Sequence, residues 1–259
     1  RVGNYAVSAI NGHRYWYDYF ERETPDAPAM TDQRARYREW AHEFEPCGYT
    51  FAMPGVYTWY PTFGWYDFEP KDYRWFYNML LVASNAGQHT SRQTPIIPFV
   101  HWHTTAPPDN PDPSVEQFSR ENYQELLWHT LLRGHDTFFL WCTGPELATE
   151  IQLVHEVYSE SLQYSGFIDR GVPVQFEVPS RPGPVVSGLR LGNRVLARRT
   201  DFGTETGNET LALAGGGEVS IAAKRGMQIL TVEQTPGHPG ILTDHNGRLR
   251  FPIGSYEVP

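Results

Sequence analysis

Cysteine is nearly absent: Cys47 and Cys142 are the only two in 259 residues. Two thiols do not make a disulfide framework, and both sit beside apolar, strand-like segments where a buried free thiol is ordinary. Long apolar runs are missing as well. None approaches the roughly 20 residues a membrane-crossing helix needs, so the expectation is a soluble chain with no membrane partner. A basic stripe is also lacking, since 21 Lys and Arg face 30 Asp and Glu, for a net charge of −9 and a pI near 5.6. Scattered cations on an acidic chain lack the electrostatic footprint of a nucleic-acid binder, and nucleic acid is not an expected partner. The chain starts at Arg1 instead of Met, as a processed, trimmed or cloned start would, a removed signal peptide among the options. Localisation stays open between a soluble and a secreted protein.

What is abundant is aromatic. Fourteen per cent of the chain is Phe, Trp or Tyr, with 8 Trp and 15 Tyr. Rings with polar edges suit surfaces that stack on flat ligands such as sugars, and they equally suit a Trp-rich core. At 40% hydrophobic and 20% charged the composition is that of a globular protein, large enough for one big domain with a small companion.

Periodicity divides the chain near residue 171. Before it, short apolar runs alternate with helical patterns: "VGNYAVSAI" (2–10), "GYTFAM" (48–53), "IIPFVHW" (96–102) and "TFFLWC" (137–142) read as strands. The helices read as "QRARYREWAHEF", "YRWFYNMLLVASNAG", "ENYQELLWHTLLRG" and "ATEIQLVHEVYSESLQYSGFIDRG". Thr31 or Asp32 caps the first, Ser119 the third, Gly87 suits the second helix's C-cap and Gly134 the third's stop. Phe76, Leu80 and Ala83 recur at helical spacing, as do Tyr123, Leu127, Thr130 and Leu131. Apolar strands that do not alternate, each followed by a helix, indicate a parallel sheet and an α/β fold. After Gly171 come short alternating segments from "VPVQFEV" to "QILTVEQ", broken by Gly, Pro, Asn and Asp, which predict an antiparallel β-sandwich. Gly192-Asn193 and Asn246-Gly247 are hairpin candidates, and "AGGGEV" is a turn because no helix follows it. The predicted division is therefore 1–171, a partial barrel of about four strand-plus-helix units, and 172–259, a small antiparallel β domain.

Chemistry in parallel sheets gathers at the carboxyl ends of strands, and those ends are rich here. The first is followed by Asn11, His13, Arg14, Tyr15, Asp18 and Glu21. After the second come Tyr57, Trp59, Trp65, Asp67 and Glu69. The third ends in His101, Trp102 and His103, the fourth in Trp141 and, beyond "TGP", Glu146. Polar strand ends with aromatic loops are what a carbohydrate site needs: hydroxyls around a sugar's edge are hydrogen-bonded and its C–H faces stacked. Hydrolysis then needs two carboxylates, about 5 Å apart for retention and about 6.5–9.5 Å for inversion. Glu146, Asp18 and Glu21 are the expected catalytic acids. Asp67 and Glu69 precede a helix, where acids favour the dipole, and are read as capping residues. Asn11, His13, Arg14, Tyr15, Tyr57, Trp59, His101, Trp102, His103 and Trp141 are the expected substrate contacts. His101 and His103 share one strand face at a spacing that suits a metal, but no third ligand is evident, so hydrogen bonding to substrate is preferred and no metal or cofactor is expected. Asn208-Glu209-Thr210 fits a glycosylation sequon.

From "NGHRYWYDYFE" through "LLRGHDTFFLWC" and into the terminal β segments, the chain resembles the C-terminal half of a (β/α)-barrel glycoside hydrolase, a half TIM-type barrel with an appended β-sandwich. The resemblance lies in architecture and strand-end chemistry. It implies an enzyme acting on a polysaccharide or oligosaccharide such as a plant cell-wall glucan or xylan. The largest clan of retaining barrel glycosidases places its acid/base Glu after strand four and its nucleophile Glu after strand seven. Here the third strand would be strand seven, and it carries His101-Trp102-His103 without a Glu, so that clan's mechanism does not transfer. The alternatives are a non-catalytic carbohydrate-binding protein or barrel fragment, and a metal-dependent hydrolase using His101 and His103. A half barrel with open strand edges would also self-associate, and a homodimer is expected.

Overall fold

The computed structural model describes residues 3–4, 50–57, 73–102, 119–140, 147–179, 182–204 and 206–233. The described part is a mixed α/β fold in which a parallel part, a two-stranded and a three-stranded sheet, is followed by an antiparallel part, a four-stranded sheet and a two-stranded hairpin. In the parallel part, β1 (Gly3–Asn4) pairs with β2 (Phe51–Ala52), and β3 (Gly55–Val56) pairs with β4 (Phe99–Val100), which pairs in turn with β5 (Phe139–Leu140). A parallel bridge from Ala52 to Ile96 ties the β2 segment to the approach to β4. The strands thus follow chain order, as successive strand-helix units require. The regular ladder is two residues long in each strand, shorter than the apolar runs that contain it.

Three helices accompany these strands: α1 (Tyr73–His89), α2 (Arg120–Leu132) and α3 (Leu147–Ser161). Alternation sends Val56, Val100 and Leu140 into one core with Phe76, Leu80, Tyr123 and Leu127 of the helices. Phe99 and Phe139, in register with each other and one residue out of step with that core, place their rings 5.4 Å apart. Ser119 caps α2 as expected, its hydroxyl accepting the Asn122 N–H at 3.1 Å. Gly134 ends the helix at φ +93°, a conformation that favours glycine.

Two sequence expectations change. α1 runs past Gly87 to His89, so Gly87 is no cap. A Cβ there would lie 2.0 Å from the Arg133 carbonyl oxygen, and glycine is what lets α1 and the end of α2 approach. The expected last helix breaks into α3, a 3₁₀ turn at Leu162–Tyr164 and α4 (Ser165–Arg170). The reading of "QRARYREWAHEF", the Asn246-Gly247 hairpin, Cys47 and Cys142 lie outside the described residues.

The second sheet is antiparallel, in the order β11 (Gln228–Thr231), β8 (Arg194–Asp201), β7 (Pro184–Leu191), β6 (Val172–Pro173). Gly192 and Asn193 connect β7 to β8, and the hairpin β9 (Glu209–Ala212) and β10 (Glu218–Ile221) turns through the glycine run. The hairpin covers one face, where Val195, Ala197, Leu213, Val219 and Ile221 pack together. α2 and α4 cover the other: Leu132 meets Leu189 and Leu196, with Phe167 and Ile168 alongside. α2 is consequently buried on nearly all sides, Tyr123 facing the first core and Glu125, His129 and Arg133 facing the second sheet.

A buried polar seam joins α2 to that sheet. Arg198 Nε and Nη2 each donate to the Glu125 carboxylate at 2.7 Å, and the Thr200 hydroxyl donates to it at 2.6 Å. His129 lies 3.0 Å from Thr200 Oγ1 and 2.8 Å from Ser187 Oγ. Arg133 donates through Nε to that same serine and through its other nitrogens to Ser84 Oγ and the carbonyls of Phe176, Glu177 and Val186. Glu125 accepts the Thr200 proton, so Thr200 accepts from His129 Nε2; with Nδ1 accepting from Ser187, and Ser187 from Arg133, the chain runs Arg133 to Ser187 to His129 to Thr200 to Glu125. That order requires a neutral His129. Burial, followed by the charges of Arg133 and Arg198, holds its pKa well below the usual histidine value.

Removing one partner of a buried charge pair strands the other, so Arg198→Ala should lower unfolding free energy by about 3–5 kcal/mol in urea titration, well beyond a surface arginine. A loss under about 1 kcal/mol would mean that the pair is solvated in solution. His135 adds a pH dependence. Fully enclosed, its pKa is depressed to about 4, chiefly by burial, despite its hydrogen bond to the Ala83 carbonyl. A depressed folded pKa means that the unfolded chain takes up the proton first, near pH 6.5. Stability is then full above about pH 6.5 and erodes as pH falls toward about 4, by on the order of 3 kcal/mol from this residue. His135→Gln, which keeps a donor for Ala83, should flatten the dependence of the urea midpoint between those limits; an unchanged slope counts against the assignment.

Candidate functional site

β4 ends at Val100, and His101 and Trp102 follow at its carboxyl end. Tyr57 occupies the same place after the neighbouring β3. The Tyr57 and His101 rings meet edge to face with centroids 6.4 Å apart. Parallel pairing of β3 with β4 puts the two residues side by side.

His101 is held from behind by Glu150 in the first turn of α3. Glu150 Oε2 lies 3.1 Å from His101 Nδ1. Its Oε1 accepts the Trp102 backbone N–H at 2.9 Å and the Tyr123 hydroxyl at 2.9 Å. Glu150 is 1% exposed and His101 6%, so each hydrogen bond replaces a water contact that burial has removed. Local sequence explains the convergence. The Ser119 cap sets the first turn of α2 and with it Tyr123, and an acid in the first turn of α3 sits favourably on the helix dipole. Gln124 fastens the two helices, donating to the Leu153 carbonyl and to Glu156. The Arg120 guanidinium stands 5.7 Å from the centre of the Trp102 ring, a cation–π contact that keeps the buried indole beside the cluster.

A carboxylate on one ring nitrogen of a histidine sets the ring's orientation and favours one tautomer, which is how imidazoles are prepared for proton transfer or ligand contact. Among the described residues, no group of three or more His, Cys, Asp or Glu is gathered to hold a metal ion. A surface cleft between residues 175–179 and β9 shares no residue with the cluster.

Of the residues expected from sequence, Tyr57, His101 and Trp102 are described, and the structure brings them together at adjacent strand ends. Glu146, Asp18, Glu21, Asn11, His13, Arg14, Tyr15, Trp59, His103 and Trp141 lie outside the described residues, as do Trp65, Asp67 and Glu69. Sequence reasoning missed Glu150 and gave Tyr123 only a packing role. Glu150 follows Glu146 by one helical turn in "GPELATE", a spacing that could have marked it as an acid near the same strand end.

Comparison with protein-family models, with characterised proteins and with solved structures finds no match to the chain.

Proposed function

We propose that the chain is a glycoside hydrolase that works on a polysaccharide or oligosaccharide from the carboxyl ends of its parallel strands, in a half-barrel arrangement. The observation that carries this reading is the cluster at the ends of β3 and β4. There Tyr57 and His101 lie ring to ring, and the imidazole is fixed by a buried carboxylate. Aromatic faces with oriented polar groups at strand ends suit a sugar. Each Glu150 oxygen is engaged in hydrogen bonding to the protein, so Glu150 supports the site and the hydrolytic carboxylates come from Glu146, Asp18 and Glu21. Asn11, His13, Arg14, Tyr15, Trp59, His103 and Trp141 would extend the sugar-binding surface around Tyr57, His101 and Trp102.

The test is release of reducing ends from a panel of cell-wall glucans, xylans and their oligosaccharides. Wild type should turn over at least one substrate, and alanine at either true catalytic acid should cut kcat by about 10²–10⁴-fold with the fold intact. Full turnover in all three alanine variants would remove these acids from the mechanism. Oligosaccharide binding without turnover by wild type would replace the enzyme with a carbohydrate-binding protein.

A further inference from the structure

We infer that Glu150 is a positioning residue that locks His101 as its Nδ1–H tautomer, making Nε2 the proton-accepting nitrogen at the end of β4. The inference deepens the functional reading above and rests on it for its significance; the tautomer itself is a property of the folded chain alone.

A backbone N–H only donates, so Trp102 must place its proton on Glu150 Oε1. The Tyr123 hydroxyl reaches the same oxygen, and it donates to a carboxylate far more readily than it accepts from one. Oε1 thus accepts two hydrogens, as a carboxylate oxygen can. The remaining oxygen, Oε2, then accepts from whatever faces it, and what faces it is His101 Nδ1 at 3.1 Å. Nδ1 therefore carries hydrogen. In the neutral ring the lone pair then belongs to Nε2, on the far side of the imidazole from Glu150.

The neighbouring polar groups on each packed element make contacts of their own. Tyr57, from the end of β3, meets the imidazole through ring faces and edges. From α2, Tyr123 is spent on Oε1, and Arg120 is directed at the Trp102 ring. From α3, Glu150 alone contacts Nδ1 among the described residues. Glu150 already satisfies the Trp102 N–H and the Tyr123 hydroxyl through Oε1, and those bonds offset the burial of its charge; placing its second oxygen on an imidazole nitrogen is a separate feature. It is well explained if the imidazole has a proton to accept from a hydroxyl group, such as that of a sugar or an attacking water.

The test is the pair of ¹⁵N shifts and ring-proton correlations of His101 in uniformly labelled full chain, recorded at the most alkaline pH at which the chain stays folded. The expected result in wild type is a pyrrole-type Nδ1 and a pyridine-type Nε2. The reverse assignment, or two pyrrole-type nitrogens, would overturn the inference. Glu150→Gln supplies the second arm. The Gln oxygen takes the Trp102 and Tyr123 protons, its NH₂ faces Nδ1, and the tautomer should invert to Nε2–H. An unchanged tautomer in that variant removes Glu150 from control of the ring. If Glu150→Gln does not fold, Tyr123→Phe, which leaves the carboxylate on His101, should keep the wild-type pattern, and inversion there counts against the assignment. None of these readouts needs a substrate. Failure to cleave any glycan with the predicted tautomer present would count against the saccharide reading alone.

Discussion

The hydrogen-bond chain from Arg133 to Glu125 is the constraint on which the described structure most depends. It passes through Ser187, His129 and Thr200 and connects one helix to two adjacent strands of the second sheet. With a neutral His129 the protons run in a single direction, and Arg198 closes the end with a two-pronged bond to Glu125. Buried networks of this kind are costly when one member is missing and rigid when complete. An apolar interface could slide by a fraction of a side chain. This one specifies a single register between α2 and the β7–β8 pair.

The same helix carries the site. Glu125, His129 and Arg133 recur every four residues on the stripe that meets the sheet. Tyr123, Leu127 and Leu131 recur at the same interval on the stripe that meets the parallel strands. Two residues separate Tyr123 from Glu125, about 200° around a helix, so the stripes are nearly opposite. A helix cannot rotate to improve one side without disturbing the other. The seam that docks the β unit therefore also sets where the Tyr123 hydroxyl meets Glu150.

Much of this architecture was legible in sequence where the signal was local. The Ser119 cap, the Gly134 stop, the buried stripe of α1 and the β7–β8 hairpin each follow from a residue's own conformational preferences or from simple periodicity. Long-range features were less accessible. Gly87 resembles a helix terminator, but its role depends on a carbonyl 46 positions away in the chain. In β8, Arg198, Arg199 and Thr200 are all buried, whereas alternation would send polar side chains outward; the partners that make their burial tolerable, Glu125 among them, come from elsewhere in the fold. Strand-end reasoning pointed to His101 because the imidazole sits where an apolar run stops. It missed Glu150 because nothing local shows that the first turn of α3 comes back onto the end of β4.

Two buried histidines, His129 and His101, are held by partners of different chemistry. His129 lies between hydroxyls, beneath two arginines, and both ring nitrogens are consumed by the seam. A proton gained or lost there breaks a bond the fold needs, so His129 is suited to holding elements together and unsuited to chemistry. His101 sits at the end of a parallel strand and leans directly on a carboxylate instead of a hydroxyl. A carboxylate can follow a change in imidazole charge without rearranging, because its attraction grows when the ring gains a proton. The two positions thus differ in what holds the ring, hydroxyls at His129 and a carboxylate at His101, and the role proposed for the β4 terminus rests on that difference.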